Sequence, residues 1–291
     1  MAGTAVFHKI TPEENERLAK KKLWILDMDG TVYLGNRLFP ETVPFLARIK
    51  ERGASYIFYT NNASRSKETY VKRLTDMGIP AGPENIMTSA ETILGFLTHE
   101  RPGQKVYLVG TEDLMREFRK AGVPLYNDDK PPFTTETEKL LPFAEEVRRC
   151  PIVVASFDTT VTYEKLDIAC RLLRNGAEFF STHPDFNCPV EGGFIPDSGA
   201  ICAFITASTR KVPRYFGKPY KDVVISLEVV TGLSRDDMVV VGDRLYTDIA
   251  LGAKNGMDSV LVLSGESAVA DLAESDVRPA YIADTVGDLL R

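Results

Sequence analysis

Short, wholly apolar runs recur along this chain, and each closes abruptly in acids, hydroxyls or amides before helical spacing begins. Leu23–Leu26 precedes Asp27, Tyr56–Tyr59 precedes Thr60, and Met238–Val241 precedes Gly242-Asp243. A run that is apolar at every position lacks the alternation of a half-solvated strand, so each is read as a strand buried on both faces. Strands alternating with helices imply right-handed crossovers and a parallel sheet. Ligands of such sheets bind beyond the carboxyl ends of the strands, where these polar residues fall.

The helical stretches carry their own punctuation. Thr11-Pro12-Glu13-Glu14 has the order of a capped helix start. Glu41–Arg52 places Val43, Leu46 and Ile49 on one side, with Gly53 as its stop, and Tyr70, Leu74 and Met77 mark a second apolar face that ends at Gly78. His99–Gln104, containing Pro102-Gly103, is expected to be a linker. Beyond it lie strands over 105–109, 152–157 and 177–181 and helices over 111–121 and 163–174, with the polar Asn127–Lys139 stretch as a surface excursion. From about Ser198 the first alternation resumes. The expectation is a discontinuous core of residues 1–100 and 198–291, with 101–197 as an inserted domain able to hold its own core.

Composition narrows the function classes. The 291 residues suffice for one large or two medium domains, and 35 basic against 41 acidic residues give no support for a nucleic-acid backbone partner. Cys150, Cys170, Cys188 and Cys202 are widely spaced without a paired histidine, and are read as reduced, mostly buried thiols rather than zinc ligands. No secretory pattern opens the chain and no run approaches the length of a membrane span, so a cytoplasmic protein without a membrane partner is expected.

Four polar strand ends or turns carry the chemistry: Asp27 with Asp29, Thr60 with Asn61, Lys218, and Asp243 with Asp248. Two residues apart in an extended chain, Asp27 and Asp29 would lie roughly 6–7 Å apart on one side. Each feature also has a plain structural reading: an Asp-Gly turn with its acids in water, an N-cap, a surface lysine, the acidic first turn of a helix. Together they match a phosphoryl-transfer site. A carboxylate can attack phosphorus, and a second acid can protonate the leaving oxygen and then activate water. Mg2+ takes hard oxygen ligands such as Asp27 and Asp243, and a lysine with a hydroxyl can hold the equatorial oxygens.

These residues resemble the motifs of the haloacid dehalogenase (HAD) superfamily. Asp27-Met28-Asp29-Gly30-Thr31 is similar to its first motif, Thr60 to its second, Lys218 in Gly217-Lys218-Pro219 to its third, and Gly242-Asp243-Arg244-Leu245-Tyr246-Thr247-Asp248 to its fourth. Asp-Gly-Thr-Val-Tyr-x-Gly at 29–35, Thr60-Asn61-Asn62 and the insertion resemble the NagD-like, p-nitrophenylphosphatase-like branch. The resemblance implies a Rossmann-like α/β core with a C2-type α/β cap, Mg2+-dependent hydrolysis of small phosphomonoesters through an aspartyl-phosphate, and homodimers through the cap. It makes Asp27 nucleophile and metal ligand, Asp29 general acid/base with its carbonyl on the metal, Thr60, Asn61 and Lys218 the phosphate ligands, and Asp243 and Asp248 metal residues.

In the insertion, Thr182-His183-Pro184-Asp185 stands where the branch has Thr-Asn-Pro-Asp, and Pro196-Asp197-Ser198-Gly199 where Gly-x-Gly is common. His183 and Asp185 are therefore candidate specificity residues, with His183 alternatively a partly exposed loop histidine. A phosphotransferase or phosphomutase would use the same nucleophile, and a non-catalytic phosphate- or Mg2+-binding regulatory protein is the alternative from another class. A dehalogenase would leave Asp29 without a leaving oxygen to protonate.

Overall fold

Two compact units emerge from the computed structural model, which describes residues 8–129, 150–190 and 192–291. The first comprises the chain through Thr60, Lys67–Met87 and Lys218–Arg291; the second comprises Asn61–Ser66 and Thr88–Gly217. Of the expected Asn127–Lys139 excursion, residues 127–129 lie in a tight turn and 130–139 fall outside the described residues.

The first unit is built on a six-stranded sheet in the order Tyr281–Ala283, Asp258–Val262, Met238–Gly242, Leu23–Leu26, Ser55–Thr60, Ile86–Thr88. Leu23–Leu26 is central and runs parallel to both neighbours, with Leu26 opposite Val241 on one side and Phe58 on the other. Its apolar tetrad serves both faces. Trp24 and Leu26 join Phe58, Val239 and Val241 against Phe45, Leu46 and Ile49 of the Thr42–Glu51 helix. Leu23 and Ile25 join Ile57, Tyr59 and Val240 against Val223, Val224 and Leu227 of the Lys221–Thr231 helix. Full burial of one such side chain contributes roughly 1.5–3 kcal/mol, so the centre of the sheet is the costliest place to introduce a polar group. In the Thr42–Glu51 helix Phe45 takes the inward place expected of Val43, which is exposed.

The second unit carries a four-stranded parallel sheet in the order Arg214–Tyr215, Glu178–Ser181, Ile152–Ala155, Val106–Val109. Helices Ser89–Glu100 and Glu112–Lys120 supply Ile93, Leu94, Leu97, Leu114 and Phe118 to one apolar cluster with Val106, Leu108 and Phe180. Helices Tyr163–Arg174 and Ser198–Thr209 supply Ile168, Leu172, Ile201 and Ile205 to another with Val153 and Phe179. The chain changes unit at 60/61, 66/67, 87/88 and 217/218, and helices Ser89–Glu100 and Ser198–Thr209 bury their apolar faces on this second sheet. Pro102-Gly103 is a turn within the unit, between a helix and the next strand. An antiparallel hairpin, Asn187–Val190 with Gly193–Pro196, lay outside the sequence reading.

The Thr11 capping box forms as expected: Glu14 N–H donates to Thr11 Oγ1 at 3.3 Å and Thr11 N–H to Glu14 Oε2 at 2.8 Å. Cys150, Cys170 and Cys202 are buried free thiols, and Cys188 is partly exposed. No described helix is long and apolar enough to cross a membrane.

Candidate active site

At the carboxyl edge of the first unit's sheet, the structure gathers Asp27, Lys218, Asp243 and Asp248. The ladder runs one residue beyond the central strand, since Asp27 N–H donates to Val241 O at 2.9 Å, and Asp27 thereby stands level with the end of the neighbouring strand. One carboxylate oxygen from each of Asp27, Asp243 and Asp248 lies within 4.8 Å of the others. Lys218 Nζ donates to Asp27 Oδ1 at 2.5 Å, to Asp248 Oδ1 at 2.6 Å and to the Tyr59 carbonyl at 3.3 Å.

Local structure fixes each of these groups. Asp248 sits in a wide helical turn, Leu245–Ile249, and its Oδ2 accepts the Arg244 N–H at 3.2 Å. Asp243 Oδ2 accepts the Glu266 N–H at 2.7 Å, while the Asp243 main-chain carbonyl accepts the Ser267 N–H at 3.1 Å. Two glycines make room for this carboxylate: a Cβ built on Gly30, at φ +86°, or on Gly265 would overlap Asp243 Oδ2. Ser264 Oγ ties the Gly30 carbonyl at 2.7 Å.

The electrostatics are those of crowded, dry carboxylates. Burial, then the charges of Asp27 and Asp248, push Asp243 well above the usual carboxylate range. Burial raises Asp248 as well, against the pull of Lys218. For Lys218, burial alone would lower the pKa, but Asp248 and Asp27 outweigh it and hold the ammonium charged. Asp243 Oδ1 is buried with no hydrogen-bond partner among the described residues. An all-oxygen donor set with one orphaned buried oxygen fits a hard divalent cation.

The other expected site residues lie in different surroundings. Asp29 is beyond the strand, in the turn leading to the Tyr33–Leu34 and Arg37–Leu38 hairpin, and its Oδ1 accepts the Gly35 N–H at 3.2 Å. The two-residue periodicity that would align it with Asp27 ends at that turn. Thr60 closes the strand beside the central one. Asn61 opens the second unit, where its Nδ2 donates to both carboxylate oxygens of Asp185 at 3.2 Å and its carbonyl accepts from Ser89 Oγ at 2.5 Å. His183 is wholly buried, not partly exposed: Nδ1 meets Thr182 Oγ1 at 2.9 Å and Nε2 meets Asp197 Oδ1 at 2.8 Å. Both ring nitrogens are engaged inside the second unit.

Sequence reasoning passed over Ser264-Gly265-Glu266-Ser267, which supplies a backbone donor to Asp243. The signal was present, because this polar turn follows an apolar strand end as the others do.

Comparison with known proteins places these features in context. Residues 24–124 match a family model described as haloacid dehalogenase-like hydrolase, and residues 215–289 match a HAD-hydrolase-like model. The chain is 33% identical over 260 residues to an acid sugar phosphatase of Staphylococcus aureus (strain MRSA252), covering 89% of this chain and 93% of that one. It superimposes on the crystal structure of a 4-nitrophenylphosphatase from Thermotoga maritima with a TM-score of 0.83 at 35% identity, over 94% of this chain and 99% of that chain. NagD from E. coli K-12 matches with a TM-score of 0.79 at 28% identity, over 93% and 98%.

Proposed function

Because the chain belongs to the haloacid dehalogenase-like hydrolase family, we propose that it is a phosphatase that hydrolyses small phosphomonoesters with Mg2+ through an aspartyl-phosphate on Asp27. The observation that carries this reading is the grip of one buried lysine on Asp27 and Asp248 beside the orphaned oxygen of Asp243. Lys218 holds the Asp27 carboxylate in one orientation, as a nucleophile requires.

In the first step, an Asp27 carboxylate oxygen attacks phosphorus. The ester P–O bond breaks, and the leaving oxygen takes the proton carried by the Asp29 carboxyl group. In the second, Asp29, now a carboxylate, removes a proton from water as that water attacks the same phosphorus. The bond to Asp27 then breaks, and orthophosphate leaves. Thr60 and Asn61 hold phosphoryl oxygens, and Lys218 offsets charge on the nucleophile and on the group in transfer. Asp27, the Asp29 carbonyl and Asp243 would hold Mg2+, with Asp248 beside them. Mg2+ bound there supplies positive charge against the crowded carboxylates and the phosphoryl oxygens. Asp29 stands apart from the three-carboxylate cluster, with Oδ1 accepting the Gly35 N–H.

Hydrolysis of p-nitrophenyl phosphate tests the reading directly. Turnover is expected with Mg2+, loss of turnover with EDTA, and a fall of roughly 10^3-fold or more in Asp27→Asn, the scale met when a nucleophile acting within a catalytic unit is removed. Activity that survives Asp27→Asn sinks the mechanism. The relative named acid sugar phosphatase puts sugar phosphates first in a substrate panel, followed by phosphoglycolate, glycerol phosphate, nucleotides and pyridoxal phosphate.

A further inference from the structure

The two places where the sequence of the second unit departs from its family pattern, His183 and Asp197, meet in space. His183 Nε2 and Asp197 Oδ1 lie 2.8 Å apart, with both side chains buried. Asp185 belongs to the same cluster: one atom each of His183, Asp185 and Asp197 falls within a 4.8 Å group. Two carboxylates so close, one of them buried, repel each other in a medium that screens poorly. An imidazolium hydrogen-bonded to Asp197 offsets that repulsion.

The main chain is clasped at the same point. Asp197 caps the Ser198–Thr209 helix, and two residues on, Gly199 N–H donates to the Asp185 carbonyl at 2.8 Å. A Cβ on Gly199 would overlap the Pro184 carbonyl, so the helix start and the 184–185 turn are in contact. Asp185 in turn accepts the Asn61 carboxamide on both of its oxygens. A carboxylate can only accept, so it forces the Asn61 NH2 group towards itself and fixes which way the amide points.

We propose that His183 and Asp197 form a positioning pair that acts through Asp185 to hold Asn61 in the orientation with which it recognises phosphate. The proposal rests on the reading of Thr60-Asn61 as a phosphate-binding segment. It gives His183, a candidate specificity residue from the sequence, a role behind the phosphate-binding amide.

The test compares the wild type, His183→Gln, Asp197→Asn and the double variant, each also on an Asn61→Ala background. Steady-state hydrolysis of p-nitrophenyl phosphate and competitive inhibition by orthophosphate are measured, with melting temperature recorded for each. Each single change is expected to raise KM and the orthophosphate Ki by about tenfold, a loss on the scale of one hydrogen bond to a charged group, while kcat moves less. The double variant should be no worse than either single, since one pair is broken once. On the Asn61→Ala background, His183→Gln should leave Ki unchanged. A lowered melting temperature with unaltered Ki assigns the pair a structural role and overturns the proposal, as does a His183→Gln effect that persists without the Asn61 amide. If the single variants fail to fold, Asp185→Asn carries the comparison with the same expectation. A wild type that is active but whose variants match it defeats the pair alone; a wild type that neither turns over nor binds orthophosphate defeats the phosphate-site reading and the pair together.

Discussion

The two units each hold a trio of titratable side chains within 4.8 Å, and the trios differ in how completely they are satisfied. In the first unit, the Lys218 ammonium bonds two of Asp27, Asp243 and Asp248, the Arg244 charge lies near, and Asp243 Oδ1 has no partner among the described residues. In the second, His183 has a partner on each ring nitrogen, Asp197 also takes the Ser198 N–H, and Asp185 takes the Asn61 amide. The same crowding of charge thus has opposite meanings. A trio with an unmet buried oxygen is a place prepared for a cation, whereas a trio hydrogen-bonded from within is a fastening.

The largest effect is expected from Lys218→Met. Without its ammonium, Asp27 and Asp248 become neighbouring carboxylates, the latter buried, with nothing between them. Denaturant unfolding in EDTA should show a loss of roughly 3–5 kcal/mol, the scale for breaking a buried pair from one side. Adding Asp248→Asn should recover part of it. A Lys218→Met protein as stable as wild type would mean that the first trio is satisfied by groups other than this lysine.

Asp243→Asn should behave in the opposite way. It removes one of three like charges and keeps an acceptor for the Glu266 N–H, so melting in EDTA is expected to hold or rise by up to about 1–2 kcal/mol. The rise in melting temperature that Mg2+ gives the wild type should largely vanish. Equal Mg2+ stabilisation of both proteins would detach the cation from this cluster.

A smaller effect separates the second trio through pH. Burial alone would lower the pKa of His183, but the hydrogen bond and charge of Asp197, with the charge of Asp185, leave it above the ordinary value. A raised folded pKa makes the contribution fully present below the unfolded value of about 6.5 and lost as pH rises through the folded value. Urea unfolding should therefore find the wild type's advantage over His183→Gln larger at pH 6 than at pH 9. A gap that widens with pH would show a neutral imidazole and remove the offset between Asp185 and Asp197.

Two members of the first trio were legible because they follow apolar runs, and burial on both faces leaves the polar residue nowhere to go but the sheet edge. Leu23–Leu26 announced Asp27 in this way, and Met238–Val241 announced Asp243. The Glu266 amide was harder to see, since a backbone donor leaves no residue type to notice. The members of the second trio stood out in the sequence as departures or candidates, but their meeting did not, for a different reason. His183 and Asp197 stand fourteen residues apart and meet only because the Asn187–Val190 and Gly193–Pro196 hairpin folds the chain back, and short strands around Gly192-Gly193 carry little periodicity. Pro102-Gly103, on which the expected boundary rested, reads equally well as a linker or as an ordinary turn. The Ser198–Thr209 helix shows no clear apolar stripe in sequence, since Ala200, Ala203 and Ala207 blur its face.

The bare Cα positions of Gly30 and Gly265 against Asp243 have a consequence for how this protein tolerates change. Neither glycine offers a functional group, yet any side chain there would occupy the volume of a carboxylate oxygen. In a saturation library scored by turnover, both positions would look as intolerant as the acids themselves, and a ranking by intolerance alone would count them as catalytic. Scoring the same library for folded protein as well would separate them, because the acids fail by chemistry and the glycines by space.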